Sequence, residues 1–144
     1  MRFLIINGPN LNMLGLREPE IYGKQNFAAL CDFIKDTCDA NGIDCELFQS
    51  NHEGAIVDKI QEAYGKFDGI VINPAAYTHT SVAILDALKA VSIPCVEVHL
   101  SDVNAREEFR RHSFVSLVAK KTVAGLGFDG YKVAIEYLKE LISA

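Results

Sequence analysis

With 144 residues, 49% of them hydrophobic and 23% charged, the chain has the composition of an ordinary globular domain. It is long enough to bury roughly 68–70% of its unfolded surface, which excludes a fibre or a disordered segment. A formal charge of −5 disfavours a nucleic-acid partner, since neutralising phosphates takes clustered Lys and Arg; the basic cluster Arg106, Arg110 and Arg111 is interleaved with Glu107 and Glu108, as in a local anion site.

No run reaches the roughly 18 apolar residues of a membrane span, and Met1 leads into strand-like sequence rather than a signal core. A cytoplasmic location is therefore expected. Cys31, Cys38, Cys45 and Cys95 show neither CxxC spacing nor a dense disulfide pattern. Cys31 and Cys38 fall two turns apart on one predicted helix, about 10 Å by the helical rise and too far for a bridge. All four are read as buried thiols.

Taken in chain order, the first strand is predicted over 2–7, around the apolar run Phe3-Leu4-Ile5-Ile6. It empties into NGPNLNMLGLREPEIYG, residues 7–23, which has no helical or strand period. Loops of this length are uncommon in compact domains and usually serve as lids or binding loops. A helix follows over 26–41, with Phe27, Leu30, Cys31, Ile34 and Cys38 on one stripe, then a strand over 44–49. The next helix, 53–64, carries Ile56, Val57, Ile60 and Tyr64 on one face, and Ser50 with Glu53 has the spacing of a capping box.

A strand over 69–73, a helix over 81–91 and a strand over 95–100 come next. Beyond them are a short helical piece over 105–112, a strand over 117–123 and a helix over 131–142. That last helix has Tyr131, Ala134, Leu138 and Leu141 at helical spacing, with Asp129 as its N-cap. Five strands with four main helices predict an α/β fold over residues 1–144 as a single domain, its parallel sheet covered on both faces. The commonest order for such a sheet is 2-1-3-4-5. Its ligands bind beyond the C-terminal strand ends, at the switch point between the first and third strands.

Polar residues concentrate at those ends. Strand one closes on NGPN, strand three on NPAAYTHTS and strand four on EVHLSD, so Asn10, Asn73, His79, His99 and Ser101 gather at one crevice; strand two ends in the milder QSNHEG. Each has a plainer reading. Asn73 before Pro74 is also a turn former, and His79 also suits the start of a helix capped by Thr78 or Thr80. His99 is either a satisfied interior histidine or an acid/base oriented by Glu97, two residues earlier on the same face; with Ser101 two residues after it, the functional reading is favoured. His52 and His112 receive no role. Asp86 falls with Val82 and Lys89 opposite the apolar side of its helix, as a solvated carboxylate or one that acts in the crevice of another subunit. In the long loop, Arg17 and Tyr22 stand five apart, with Gly15 and Gly23 as hinges. A guanidinium near a phenol lowers its pKa from about 10 and makes it a base, and a closing loop would exclude water. The plainer alternative pairs Arg17 with Glu18 or Glu20 and packs Tyr22 on the surface.

NGPNLNMLGLREPEIYG, NPAAYTHTSVAILDAL, EVHLSD and REEFRRHS, in this order and continuing through GLGFDGY, resemble type II 3-dehydroquinate dehydratase over essentially the whole chain. The resemblance implies a flavodoxin-like three-layer sandwich that converts 3-dehydroquinate to 3-dehydroshikimate in the shikimate pathway. It implies no metal or organic cofactor, and assembly as a homododecamer of trimers. It makes Tyr22 the base, Arg17 the support of its phenolate, His99 the acid with Glu97 behind it, and Asn10 the holder of a water at the enolate oxygen. Asn73, His79, Leu100, Ser101 and Arg110 would hold the substrate, Arg106 would add a loop-closing charge, and Asp86 would come from the adjoining subunit. Two places depart from the pattern: Asp102 stands where Asn is common, and Ala75-Ala76 where glycine is frequent. Small effects on loop geometry are expected.

The main alternative is a flavodoxin-like protein that binds a cofactor or small molecule without dehydratase activity. NGPNLNMLG lacks the Gly-rich turn running directly into a helix that a phosphate cradle needs. A serine hydrolase at Ser81 lacks the G-x-S-x-G elbow.

Overall fold

The computed structural model describes residues 1–16 and 25–144. Its five strands are β1 (Arg2–Asn7), β2 (Asp44–Gln49), β3 (Gly69–Asn73), β4 (Cys95–His99) and β5 (Thr122–Ala124), all parallel and in the order β2-β1-β3-β4-β5. Among the described residues four α-helices cover the sheet: α1 (Phe27–Ala40), α2 (Glu53–Glu62), α3 (Val82–Val91) and α4 (Asp129–Ser143). Among those same residues no helix is long and apolar enough to cross a membrane.

Strand side chains alternate between two apolar layers. Phe3, Ile5, Val71, Val96 and Val98 pack against Leu30, Ile34 and Cys38 of α1 and Tyr131, Ala134 and Leu138 of α4. Leu4, Ile6, Ile70 and Ile72 pack against Ile56 and Ile60 of α2 and Ile84 and Leu88 of α3. β1, β3 and β4 are buried on both faces apart from Arg2, which explains their unbroken apolar runs, whereas β2 at the edge is only half-buried. Each fully buried Ile or Leu contributes about 1.5–3 kcal/mol, so the two layers are the main source of stability. Tyr64 and Leu141, predicted on apolar stripes, are 71% and 39% exposed; α2 ends at Glu62, so Tyr64 falls in the turn beyond it.

Several local expectations are corrected. The last strand begins at Thr122 rather than 117, because residues Val115–Leu117 form a 3₁₀ turn in which Ser113 Oγ accepts the Ser116 N–H at 3.1 Å. The piece predicted over 105–112 is two 3₁₀ turns, Val103–Ala105 and Glu108–Arg110, parted by the extended backbone of Arg106. β4 ends at His99, one residue short of Leu100. Ser50 does not cap α2; its Oγ accepts the His52 N–H at 3.0 Å, and His52 is the N-cap without a side-chain bond. Asp129 lies inside the first turn of α4, where a carboxylate suits the helix dipole, and Phe128 is the N-cap. Neither Thr78 nor Thr80 caps α3, since Ser81 Oγ accepts the Ile84 N–H at 3.0 Å. The cysteines are free, but only Cys38 and Cys95 are buried; Cys31 and Cys45 are half-buried. Burial pushes the Cys95 thiol up to about 12, so it stays protonated and inert.

The chain beyond β1 crosses close over the chain beyond β3. The Gly8 N–H donates to the Asn73 carbonyl at 2.8 Å, and a Cβ on Gly8 would lie 2.5 Å from the Pro74 carbonyl oxygen. Only glycine fits there. Gly8→Ala is expected to cost about 1–3 kcal/mol by overpacking against backbone. Urea denaturation measures it, and a loss under about 0.5 kcal/mol, the ordinary effect of a surface change, would contradict the close approach.

Candidate active site

A crevice of about 770 Å³ opens beyond the C-terminal ends of β1, β3 and β4, where the strand order predicts it. Asn10, Asn73, His79, His99, Leu100, Ser101, Arg106 and Arg110 all line it. Glu97 sits directly behind His99. Asp86 is exposed on the outer side of α3 and does not reach this crevice, in keeping with its predicted outward position. Arg17, Tyr22 and Gly23 lie outside the described residues; Gly15 takes φ 86 at the near end of the loop.

His99 and Glu97 point to the same face of β4, as their spacing predicts. The Glu97 carboxylate is fully buried and is met by His99 Nε2, by Ser113 Oγ at 2.8 Å and by Thr122 Oγ1 at 3.3 Å. A carboxylate only accepts, so Nε2 carries a hydrogen and Nδ1 is the ring nitrogen left for a ligand. His79 is fixed in the reverse sense. Its Nδ1 lies 2.7 Å from the His112 carbonyl, which also only accepts, so Nδ1 carries the hydrogen and Nε2 remains free. His112, given no role from sequence, thus contributes its backbone.

Asn10 takes a left-handed φ of 71, which asparagine tolerates better than most residues, and its N–H donates to Asn51 Oδ1 at 2.9 Å. Gln49 Nε2 braces the same turn through the Gly8 carbonyl at 3.1 Å. The end of β2, set aside in the sequence as mild, therefore supports the loop beyond β1. Nothing in its residue types marks it, because Asn and Gln are common in turns. Asn73 does act as a turn former, its Oδ1 accepting the Ala75 N–H at 3.1 Å, and it also lines the crevice.

Ala75, at one of the positions where glycine is frequent, takes φ 51 and bears the strain of the left-handed region, about 1–2 kcal/mol. Asp102 Oδ1 accepts the Asn104 N–H at 2.9 Å and caps the turn that leads to Arg106. At the rim, Arg106 Nη2 donates to Ser101 Oγ, and Arg110 pairs with Glu107 at 2.9 Å. Two guanidinium groups beside two histidines and two carboxamides suit a small, oxygen-rich anion. Among the described residues no group of three or more His, Cys, Asp or Glu is placed to hold a metal ion.

Ser113→Ala removes a donor from a buried carboxylate and is expected to cost about 1.5–3 kcal/mol, read by urea denaturation. A loss below about 0.5 kcal/mol would mean that the bond contributes no more than a surface contact.

The sequence pattern of the family described as class II dehydroquinases matches residues 1–139. The chain is 57% identical over 142 residues to a catabolic 3-dehydroquinase of Neosartorya fischeri, covering 98% of this chain and 95% of that one. It is 52% identical over 143 residues to a 3-dehydroquinate dehydratase of Clostridium acetobutylicum, covering 99% of each. The crystal structure of a type II dehydroquinase from Butyrivibrio crossotus superimposes with a TM-score of 0.91 at 55% identity, over 96% of this chain and 97% of that one. With its sheet order, its crevice and these likenesses in agreement, the chain belongs to the class II dehydroquinase family.

Proposed function

We propose that this crevice removes water from 3-dehydroquinate to give 3-dehydroshikimate, with residues 1–144 acting as one catalytic domain. The observation that carries the reading is the convergence of an oriented histidine, two carboxamides and two arginines on one crevice, in a chain of this family. Eliminating water beside a ketone needs a base for the carbon-bound proton, a group to stabilise the enolate, and an acid for the departing hydroxyl. In this reading Tyr22 takes the proton as a phenolate kept ionised by Arg17. The electron pair moves onto the ketone oxygen, where Asn10 holds a water. The enolate then collapses, the carbon–oxygen bond breaks, and the hydroxyl leaves as water with a proton from Nδ1 of His99, which acts here as an imidazolium whose Nε2–H stays bonded to Glu97.

Glu97 keeps the His99 ring turned so that Nδ1 addresses the leaving group. Asn73, His79, the Leu100 backbone and Ser101 hold substrate hydroxyls, Arg110 takes the carboxylate, and Arg106 adds positive charge at the rim. Asp86 serves the crevice of a neighbouring subunit in a dodecamer built from trimers. Its exposure beside Val82, an apolar residue 48% exposed on the same helix, supports an interface on that face. The enzyme works in the cytoplasm, as part of the shikimate pathway.

The direct test is incubation of the purified protein with 3-dehydroquinate while following the enone absorbance of the product; a flat trace would overturn the assignment. Tyr22→Phe and Arg17→Ala are each expected to lower turnover by about 10²–10⁴, with the thermal midpoint held near that of the parent. Near-normal rates in either remove that residue's role. Asp86→Ala is expected to reduce activity while leaving the fold of each chain intact. Light scattering and circular dichroism accompany that assay, and full activity in a strictly monomeric preparation would contradict the shared site.

A further inference from the structure

The chemistry above uses Asn73 at the crevice wall and leaves the polar groups beneath that wall without a purpose. Tyr131, in the first turn of α4, is fully buried in the same layer as Phe3, Ile5 and Val71. Its hydroxyl meets Asn7 and Asn73, the register pair that ends β1 and β3. The O–H donates to Asn7 Oδ1 at 2.5 Å, and the oxygen accepts from Asn73 Nδ2 at 3.0 Å. The two asparagines are only 1% and 3% exposed.

The direction of this chain is forced. A phenol has one proton, and once it is given to Asn7 the tyrosine can only accept from Asn73, which must then present Nδ2. On its other side the Ala75 N–H requires Asn73 Oδ1. The flipped carboxamide would lose the Ala75 bond and could keep Tyr131 only by drawing the phenol proton away from Asn7. Because Asn73 also lines the crevice, its second Nδ2 hydrogen is the donor that remains for a ligand. Burial pushes the Tyr131 hydroxyl well up, so its proton stays in place at any working pH.

As a stability device the arrangement is poor. It sets three polar side chains in an aliphatic layer, and Asn7 Nδ2 finds no partner among the described residues. An apolar trio of similar size would avoid that desolvation cost. What the polar trio provides is a unique orientation at its crevice end.

We propose that Tyr131 is a positioning residue for the dehydration: its hydroxyl, together with the Ala75 N–H, holds the Asn73 carboxamide in one orientation, so that Nδ2 donates to an oxygen of the bound substrate. The inference rests on the reading of Asn73 as a substrate-binding residue. Tyr131→Phe removes a single oxygen and keeps the ring. Asn7→Ala frees the phenol proton to turn toward Asn73 and keeps the tyrosine.

Kinetics of Y131F, N7A, N73A and the double variant Y131F/N73A, with a thermal melt of each, form the test. Y131F and N7A are each expected to raise KM by about tenfold with a smaller change in kcat, in protein still folded at the assay temperature. The double variant is expected to be no worse than N73A, because Tyr131 acts through Asn73. A lowered melting point with unchanged KM in Y131F and N7A, beside a raised KM in N73A, would overturn the positioning role and leave the reading of Asn73 standing. Fully additive losses in the double variant would do the same. Unchanged KM in N73A would overturn the reading of Asn73 itself. Should Y131F fail to fold, N7A and N73A decide the matter by the same comparison.

Discussion

Asn7 and Asn73 stand opposite each other at the last rung between β1 and β3, and beyond that rung the two chains leave for opposite faces of the sheet. The chain after β1 goes on to α1 in one apolar layer; the chain after β3 goes on to α3 in the other. A parallel sheet opens a crevice of this kind where its strand order reverses, because no crossover helix covers the gap. Gly8 keeps the divergence narrow by letting one backbone pass directly over the other. Asn73 belongs to this rung and Asn10 stands three residues beyond it, so both reach the crevice that opens there.

Two kinds of support hold the residues around it. On the α3 side, the Glu97 carboxylate is sealed beneath His99 and satisfied by donors from β4, β5 and the chain between them. A buried carboxylate held so fully adds little net stability, but it fixes ring plane and tautomer before any ligand arrives. At the rim, Arg106 follows one short 3₁₀ turn and meets Ser101, while Arg110 ends the next and is held at the surface by Glu107 and the Phe109 ring. Guanidinium groups of that kind can move to meet a charge. The floor is preorganised and the rim adapts, which is the division of labour that elimination from a small anion requires.

Much of this was legible in the residues. The starts of β1, β2, β3 and β4 fall at the residues predicted for them, and the outward position of Asp86 follows from the helical step alone. Legibility failed where a residue's partner is remote in the chain. The segment around 117 alternates like a strand, yet the Ser113 turn claims its first residues and only three join the sheet edge. Ser50 has capping-box spacing, but its hydroxyl finds the nearer His52 N–H first. Asn51, Ser113 and Thr122 carry no mark in the sequence, because a polar side chain in a turn or on an edge strand is ordinary until its neighbour is known.

Periodicity and the run of strand-end motifs determined by themselves the α/β class and the end of the strands where the polar residues collect, while the order 2-1-3-4-5 was expected only as the commonest and is what the structure has. Those features depend on contacts between residues close in sequence and on a handedness shared by every protein chain. Only the tertiary structure decided which nitrogen of each histidine is already bonded and which is left free, which partner each atom of the Asn73 carboxamide meets, and that Tyr131, 124 residues from Asn7, reaches up from the core to meet both asparagines. A hydrogen bond has a direction, and its direction is settled by whatever group the fold brings to the other end.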